Sequence, residues 1–264
     1  MKYKRIVIKI GTSLITEKNG DLNSKFILNL SEVCEKLIKL NHEIVLISSG
    51  AVGAGIQLID KKLIDNINQK QTSVKQVLAS LGQPYLMKHY QEIFNQLNLK
   101  TSQILLTRKE ITEDKSTYLN IKNTIEKLIE FNIIPIINEN DVVSTEELEG
   151  EKFGDNDTLS SFVSNMIDAN LLIILSSIEG LFTTDPNLHP QSAKLISEIK
   201  NVGIQDIDTL GGPSSNNIGT GGMDAKLKAI EMASVSGTDV VLASGKNPDN
   251  ILKIISGKKI GTFF

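Results

Sequence analysis

The chain has 264 residues, of which 40% are hydrophobic, enough for one large α/β domain or two small ones with a proper core. Its net charge of −3, with acidic and basic residues mixed along the chain, excludes a basic surface for nucleic acid and a polybasic segment for anionic membranes. The single cysteine, Cys34, excludes an internal disulfide and predicts core packing in a cytoplasmic protein. Neither a signal peptide nor a long apolar run is present, so export and membrane spanning are not expected. We therefore expect one domain over residues 1–264 that acts on a small molecule.

The first predicted strand carries a lysine near its carboxyl end. Residues 6–10 form the β-branched run of a central parallel strand, interrupted only by Lys9. Gly11 then permits a tight exit from the strand. Because an unpaired buried ammonium is costly, and because open α/β sheets bind ligands at the carboxyl ends of their strands, Lys9 predicts an anion at this edge. The alternative is a peripheral strand from which Lys9 reaches solvent.

Further helices and strands alternate along the chain. They are a helix from Asn23 or Ser24 to about Asn41, a strand at Glu43 to Ile47, a helix after Gly50, a helical stretch from Gln69 to Leu97 that breaks near Gly82 and Pro84, a strand at Gln103 to Thr107, a helix at Tyr118 to Phe131, a strand at Ile133 to Ile137, a helix to Ala169, a strand at Leu171 to Leu175, a helix closed by Gly237, and strands at Val240 to Ala243 and Thr262 to Phe264. The buried stripe of the stretch before Leu97 is predicted to comprise Val77, Leu78, Leu81, Leu86, Tyr90, Ile93, Phe94 and Leu97. The alternation predicts an α/β fold with a mostly parallel central sheet and helices on both faces.

Two glycine-rich turns precede predicted helices, at residues 48–55 and 219–226. Backbone amides at the start of a helix bind anions, and Lys226 lies early in the second helix, where it could reach the same anion. A dinucleotide fingerprint fails because Leu58 stands where its last glycine is required, and no Walker sequence is present. For the second turn, a flexible hinge is the alternative.

Acidic and amide residues cluster after the fourth predicted strand, at residues 138–141 and 154–157. Any one of Asp155, Asn156 and Asp157 could simply cap the following helix. Three consecutive capping residues exceed what one helix start requires, so we favour a polar site on the same side of the sheet as Lys9.

Two lysines, each beside a glycine turn, suit phosphoryl transfer, in which negative charge must be neutralised and positioned. The three histidines, His42, His89 and His189, are predicted to lie on the surface. Neither a nucleophilic triad nor a metal-ligand spacing of His and Cys is present. A carboxylate acceptor, with a pKa of about 4, would be ionised at neutral pH and would need no general base.

Five segments, in the same order, resemble the motifs of the glutamate 5-kinase family: residues 9–13, 48–51, 138–141, 154–157 and 219–226. Residues 75–83 and 103–108 are similar to the same family, so the resemblance covers nearly the whole chain. It implies an amino-acid-kinase fold and ATP-dependent, magnesium-assisted phosphorylation of the side-chain carboxylate of L-glutamate, the first step of proline biosynthesis. It also implies homo-oligomers, inhibition by proline and delivery of the acyl phosphate to a reductase.

The resemblance further implies residue roles. Lys9 and Lys226 would hold the transferring phosphoryl group, and Asp157 would orient both ammonium groups. Glutamate would be bound by Ser49, Gly50, Asp141 and Asn156. The nucleotide would be bound by Lys9, Ser176, Ser177, Thr220, Gly221, Gly222, Met223, Asp224, Ala225 and Lys226. The amino-terminal part of the domain would mainly bind the substrate and the carboxyl-terminal part the nucleotide.

The chain departs from the family pattern at Ser177, where many members have an acid, and we expect changed nucleotide contacts there. It also ends at Phe264, so the PUA domain of many members is expected to be absent. A related kinase acting on aspartate or N-acetylglutamate and a non-catalytic amino-acid sensor are the alternatives. Lys9, Asp157 and Lys226 argue against the sensor.

Overall fold

The computed structural model of the protein describes residues 2–17, 20–60, 63, 71–144, 156–184, 186, 189–199 and 223–264. Seven described strands form one sheet: β1 (Arg5–Ile10), β2 (Glu43–Ser48), β3 (Lys100–Leu106), β4 (Ile133–Glu139), β5 (Leu171–Ser176), β6 (Asp239–Ser244) and β7 (Thr262–Phe263). Their order is β3-β4-β2-β1-β5-β6-β7, and every neighbouring pair is parallel except β6 and β7. The predicted mostly parallel α/β fold is confirmed.

The described helices connect these strands. They are α1 (Thr12–Ile15), α2 (Ser24–Lys39), α3 (Ala51–Ile56), α4 (Thr72–Asn95), α5 (Arg108–Thr112), α6 (Lys115–Glu130), α7 (Asn156–Met166), α8 (Met223–Val235) and α9 (Asn250–Ile255). The predicted capping chemistry is observed at two of them: the Asn23 side chain accepts a hydrogen bond from the amide of Phe26 at the start of α2, and Gly237 follows α8 with a φ of 86°. Helices α1, α5 and α9 were not predicted, because a one-turn or two-turn helix carries too little periodicity.

The two faces of the sheet have separate apolar cores. Alternate β1 residues Ile6 and Ile8 pack with α2 and α4 on one face. Val7 belongs to the core on the other face, together with residues of α7 and α8. Since side chains alternate along a strand, Lys9 projects to the same face as Val7. The sheet therefore directs the lysine toward the two helices that follow the predicted acidic cluster and the second glycine turn.

The predicted break of the fourth helix is wrong, because α4 continues through Gly82 and Pro84. Gly82 is instead the point where α4 crosses α3: a Cβ atom there would lie 1.9 Å from the carbonyl oxygen of Ala51. The reciprocal contact is as close, since a Cβ on Gly55 would lie 1.9 Å from the carbonyl oxygen of Leu78. Both glycines thus permit close contact between helix backbones.

The predicted buried stripe of α4 is also partly wrong. Val77 and Leu81 are exposed, at 53% and 41%, whereas Leu78 and Gln83 are buried. The rest of the predicted stripe within α4 is confirmed as buried, namely Leu78, Leu86, Tyr90, Ile93 and Phe94. Near Gly82, close contact with α3 buries Leu78 and leaves Val77 and Leu81 exposed.

The prediction of three surface histidines is wrong for one of them. His42 is 8% exposed, and its Nδ1 lies 2.7 Å from the carbonyl oxygen of Tyr3. Its polar neighbours in sequence gave no sign of this burial, because the partner comes from the distant amino-terminal segment. His89 is half-buried beside Ser24, and His189 is exposed.

The single cysteine lies in the core, as predicted. Cys34 on α2 is fully buried, and burial raises the pKa of its thiol to about 12. The thiol therefore stays protonated and packs as a small apolar group. Within the described ranges, no helix combines the length and the apolar character needed to cross a membrane.

Candidate active site

The site lies at the topological switch point of the sheet, where the order of the strands reverses. Strand β2 lies on one side of β1 and β5 on the other, so loops leave the carboxyl ends of these strands in opposite directions and open a crevice. Lys9 is the second-last residue of β1, and Asp157 lies in the first turn of α7. Lys226 lies one turn into α8.

These three charged side chains meet. The Nζ of Lys9 lies 2.7 Å from Oδ1 of Asp157, and the Nζ of Lys226 lies 2.9 Å from Oδ2 of the same carboxylate. Asp157 is 1% exposed and Lys9 is 6% exposed. Two ammonium groups, 217 positions apart in sequence, are therefore held at one nearly buried carboxylate, which leaves a net charge of +1.

The Asp157 carboxylate is ionised because of its two partners. Burial by itself would raise its pKa, but the charges and hydrogen bonds of Lys9 and Lys226 outweigh burial and hold the pKa below its usual range. The position of the carboxylate in the first turn of α7 also favours the negative form, since helix amino termini stabilise negative charge.

The first glycine turn brings the ends of β1 and β2 together. Gly50 adopts a φ of 109°, which L side chains rarely adopt, and precedes α3. The Ser49 amide donates to the carbonyl oxygen of Ile10, and Ser49 is 5% exposed. Ser48 turns its hydroxyl away from this edge to Tyr90, at 2.9 Å. Ser49 and Gly50 thus lie beside the end of the strand that carries Lys9.

A second polar group lies at the end of β4. Asp141 is 8% exposed, and burial together with the nearby charge of Glu139 raises its pKa to about 7. Glu139 itself accepts a hydrogen bond from Ser144. Strand β4 is separated from β1 by β2 alone, so its end lies about 10 Å from the end of β1.

A chain of amide groups supports this acidic end, and the sequence did not assign it to the site. The Asn138 amide donates to Gln83 Oε1 at 2.8 Å, and Gln83 donates to Gln103 Oε1 at 3.2 Å. Asn138 also accepts from the amide of Glu139, at 2.9 Å. All three residues lie in segments that resemble the family, so these segments were an available signal. Only the packing of α4 beside β3 and β4 shows that their side chains meet.

The other predicted substrate and nucleotide residues are placed as follows. Asn156 opens α7 and is 2% exposed. Ser176 ends β5 half-buried and Ser177 is exposed, while at the start of α8 Met223 is half-buried, Asp224 exposed and Ala225 buried. Thr220, Gly221, Gly222, Gly154 and Asp155 lie outside the described residues.

The His, Cys, Asp and Glu side chains of the described residues do not form a metal site by themselves. Within the described part of the chain, no group of three or more His, Cys, Asp and Glu side chains could hold a metal ion. The described side chains that meet at the carboxyl edge instead suit a polyanion, because Lys9 and Lys226 bring two positive charges against one negative charge.

Known proteins resemble this chain over almost its whole length. Residues 4–244 match the model of the amino acid kinase family. A glutamate 5-kinase from Dehalococcoides mccartyi is 45% identical over 262 residues, which cover 99% of this chain and 68% of that protein. Glutamate 5-kinases from Clostridium perfringens and Ligilactobacillus salivarius are 40% and 43% identical, with 95% and 96% of those proteins covered.

A solved structure supports the fold alone. UMP kinase from Bacillus anthracis superposes with a TM-score of 0.64 at 15% identity, and the match covers 99% of this chain and 95% of that one. The resemblance drawn from the five motifs is confirmed by the sequence relatives. The chain belongs to the amino acid kinase family and, within it, to the glutamate 5-kinases.

Proposed function

We propose that the protein transfers the γ-phosphoryl group of ATP to the side-chain carboxylate of L-glutamate, and that this reaction is the first step of proline biosynthesis. A carboxylate oxygen of glutamate forms a bond to phosphorus while the bond to the bridging oxygen of ADP breaks, which yields glutamyl 5-phosphate and ADP. The family supports the reaction, and one observation carries it at this site: Lys9 and Lys226 converge on Asp157.

The two lysines neutralise the charge that the reaction concentrates. Phosphoryl transfer brings an anionic acceptor to an anionic donor, so catalysis depends on positioning and positive charge. An ammonium group has three N–H donors, so each lysine can bind Asp157 and a phosphoryl oxygen together. Asp157 keeps Lys9 and Lys226 side by side, where their charges would otherwise repel each other.

The acceptor needs no general base. The side-chain carboxyl of glutamate has a pKa of about 4, so it is already ionised at neutral pH. We assign the substrate ammonium to the acidic end of β4, where Asp141 lies, and the remaining substrate contacts to Ser49, Gly50 and Asn156. These assignments are supported by the strand order, in which the ends of β2 and β4 lie near the end of β1, the strand that carries Lys9.

The nucleotide is assigned to the other side of the site, after β5 and before α8. Ser176, Ser177 and residues 220–226 would surround it, so the amino-terminal part of the domain binds mainly substrate and the carboxyl-terminal part mainly nucleotide. Mg²⁺ is proposed to accompany the nucleotide phosphates and to neutralise part of their charge.

Family membership also supports proposals about context. These are a cytoplasmic homo-oligomer, inhibition by proline, and a downstream reductase that consumes the acyl phosphate. Each proposal can be tested directly. Light scattering measures the mass of the oligomer, and a titration with proline measures inhibition of turnover. Oxidation of NADPH by an added reductase measures consumption of the acyl phosphate.

Trapping of the acyl phosphate tests the function. With ATP, Mg²⁺ and glutamate, hydroxylamine should yield glutamyl hydroxamate, and Lys226→Ala should yield almost none. Aspartate and N-acetylglutamate are the matched control substrates and should yield none. Hydroxamate from aspartate without any from glutamate would refute the substrate, and no hydroxamate from any of the three would refute the kinase.

A further inference from the structure

A three-rung ladder of polar contacts joins α7 to α8. At the amino-terminal end of α7 the Asp157 carboxylate binds Lys226, at 2.9 Å. One turn further along α7, the Ser161 hydroxyl donates to the carbonyl oxygen of Ala229, at 2.6 Å. The third rung is the Asn165 amide, which donates to the carbonyl oxygen of Met232, at 3.2 Å.

The ladder has a fixed spacing on each helix. Its α7 members are four residues apart and its α8 members are three residues apart, so both helices advance in the same direction. Rows of every fourth residue on one helix against rows of every third on the other are a common helix packing. Small residues make the close approach possible, because Ala225, Ala229 and Ala233 are all buried along α8.

The Ser161 and Asn165 contacts are made to the backbone of α8, whereas the Asp157 contact is made to the side chain of Lys226. A side-chain contact tolerates a shift of a helix, because a long lysine can bend to follow. A contact to a carbonyl oxygen does not, since a slip by one residue moves the carbonyl by about 1.5 Å along the axis and rotates it by about 100°. Strand β5 lies between the two helices in sequence, so no short connection sets their register.

The geometry points to Ser161 as a positioning residue of this kinase, with Asn165 as its support: they fix the register of α8 on α7 and so hold the Lys226 ammonium at Asp157. Neither side chain is assigned a contact with substrate or nucleotide. The inference rests on the proposed function, in which Lys226 binds the transferring phosphoryl group. A displacement of about 1 Å at a reacting group can cost about 100-fold in rate.

The chain offers a matched control on the same helix. Ser164 is 0% exposed, as Ser161 is, and its hydroxyl also donates to a backbone carbonyl, at 2.7 Å. Its acceptor is Ser160 of the same helix, so Ser164 does not join α7 to α8. Replacement of either serine by alanine removes one buried hydroxyl, and both variants should lose a similar few degrees, about 2–4 °C, of melting temperature.

The experiment compares Ser161→Ala and Ser164→Ala in the full chain. For Ser161→Ala, we expect kcat to fall about 10-fold or more, weaker ATP binding in calorimetry, and an unchanged KM for glutamate. For Ser164→Ala, kcat should stay within about twofold of the wild type. In a Lys226→Ala background, Ser161→Ala should have no further effect on ATP binding, because it acts through that lysine. Asn165→Ala should show the same changes in kcat and ATP binding as Ser161→Ala. If Ser161→Ala does not fold, Asn165→Ala takes its place in the comparison with Ser164→Ala.

Equal kcat values for the two serine variants would overturn the inference. So would a Ser161→Ala effect on ATP affinity that persists in full without the Lys226 side chain. Failure of the proposed function gives a different result, namely no glutamyl hydroxamate from the wild-type protein. In that case the ATP-binding comparison still decides whether Ser161 acts through Lys226.

Discussion

The substitution Asp157→Asn probes the centre of the site, because it removes one charge and leaves the shape of the side chain nearly unchanged. Two ammonium groups, Lys9 at 6% exposure and Lys226 half-buried, would then face each other without their shared carboxylate. Loss of one partner from a buried ion pair typically costs about 3–5 kcal/mol. We therefore expect the free energy of unfolding to fall by about that amount, and turnover to fall by at least about 100-fold because the lysines lose their position.

Urea unfolding followed by circular dichroism at pH 7 measures the first effect and hydroxamate formation the second. Asp168→Asn is the matched control: Asp168 also lies 2.9 Å from a lysine, Lys122, but its side chain is 80% exposed. An exposed pair contributes about 0–1 kcal/mol, and asparagine tolerates the φ of 53° at this position. If Asp157→Asn and Asp168→Asn had the same small effect, the buried carboxylate would not organise the site.

The pH dependence of Asp157→Asn has a definite sign. Because the folded pKa of Asp157 lies below the ordinary value of 3.8, its contribution to stability is complete above that value and is lost as the pH falls below it. The difference in stability between the wild type and the variant should therefore shrink on acidification below pH 4. A difference that grows in that range would contradict the assigned ion pairs.

Three further predictions concern separate features. Lys226→Ala should lose most turnover while the melting temperature stays within about 5 °C, because Asp157 keeps its ion pair with Lys9 and the helix keeps its apolar packing. Equal turnover in the variant would refute the role. In the wild type, KM for glutamate should rise as the pH falls below about 7, because burial and the charge of Glu139 raise the pKa of Asp141 to about 7 and its negative charge is then lost. Asp141→Asn should have a high KM without this pH dependence. Because the ionised carboxylate is unfavourable in the folded state, the variant should also gain stability over the wild type as the pH rises from about 4 to about 7, and the difference should then level off. A wild-type KM that does not change between pH 6 and 8 would contradict this assignment. Gly82→Ala should destabilise the fold by more than about 2 kcal/mol in urea unfolding, although alanine favours helices by about 1 kcal/mol, because its Cβ would lie 1.9 Å from the Ala51 carbonyl oxygen; a more stable variant would show that the helices can separate at no cost.

Local patterns in the sequence determined much of this protein. The β-branched run around Lys9 specified a central strand, because such residues fit a strand buried on both faces. Asn23 and Gly237 marked the start of α2 and the end of α8, because capping depends on chemistry within a few residues. The order of five short motifs identified the family, since each motif is read directly from consecutive residues.

Only the tertiary structure decided the features that depend on distant partners. It determined that Gly82 permits a helix contact with α3 instead of ending a helix, and that His42 is buried against Tyr3. It also determined that Lys9 and Lys226 share one carboxylate and that Ser161 reaches the backbone of α8. The sequence shows which residues carry charge or lack a side chain. The folded sheet alone determines which of them meet, because contacts between residues far apart in the chain depend on the packing of whole elements.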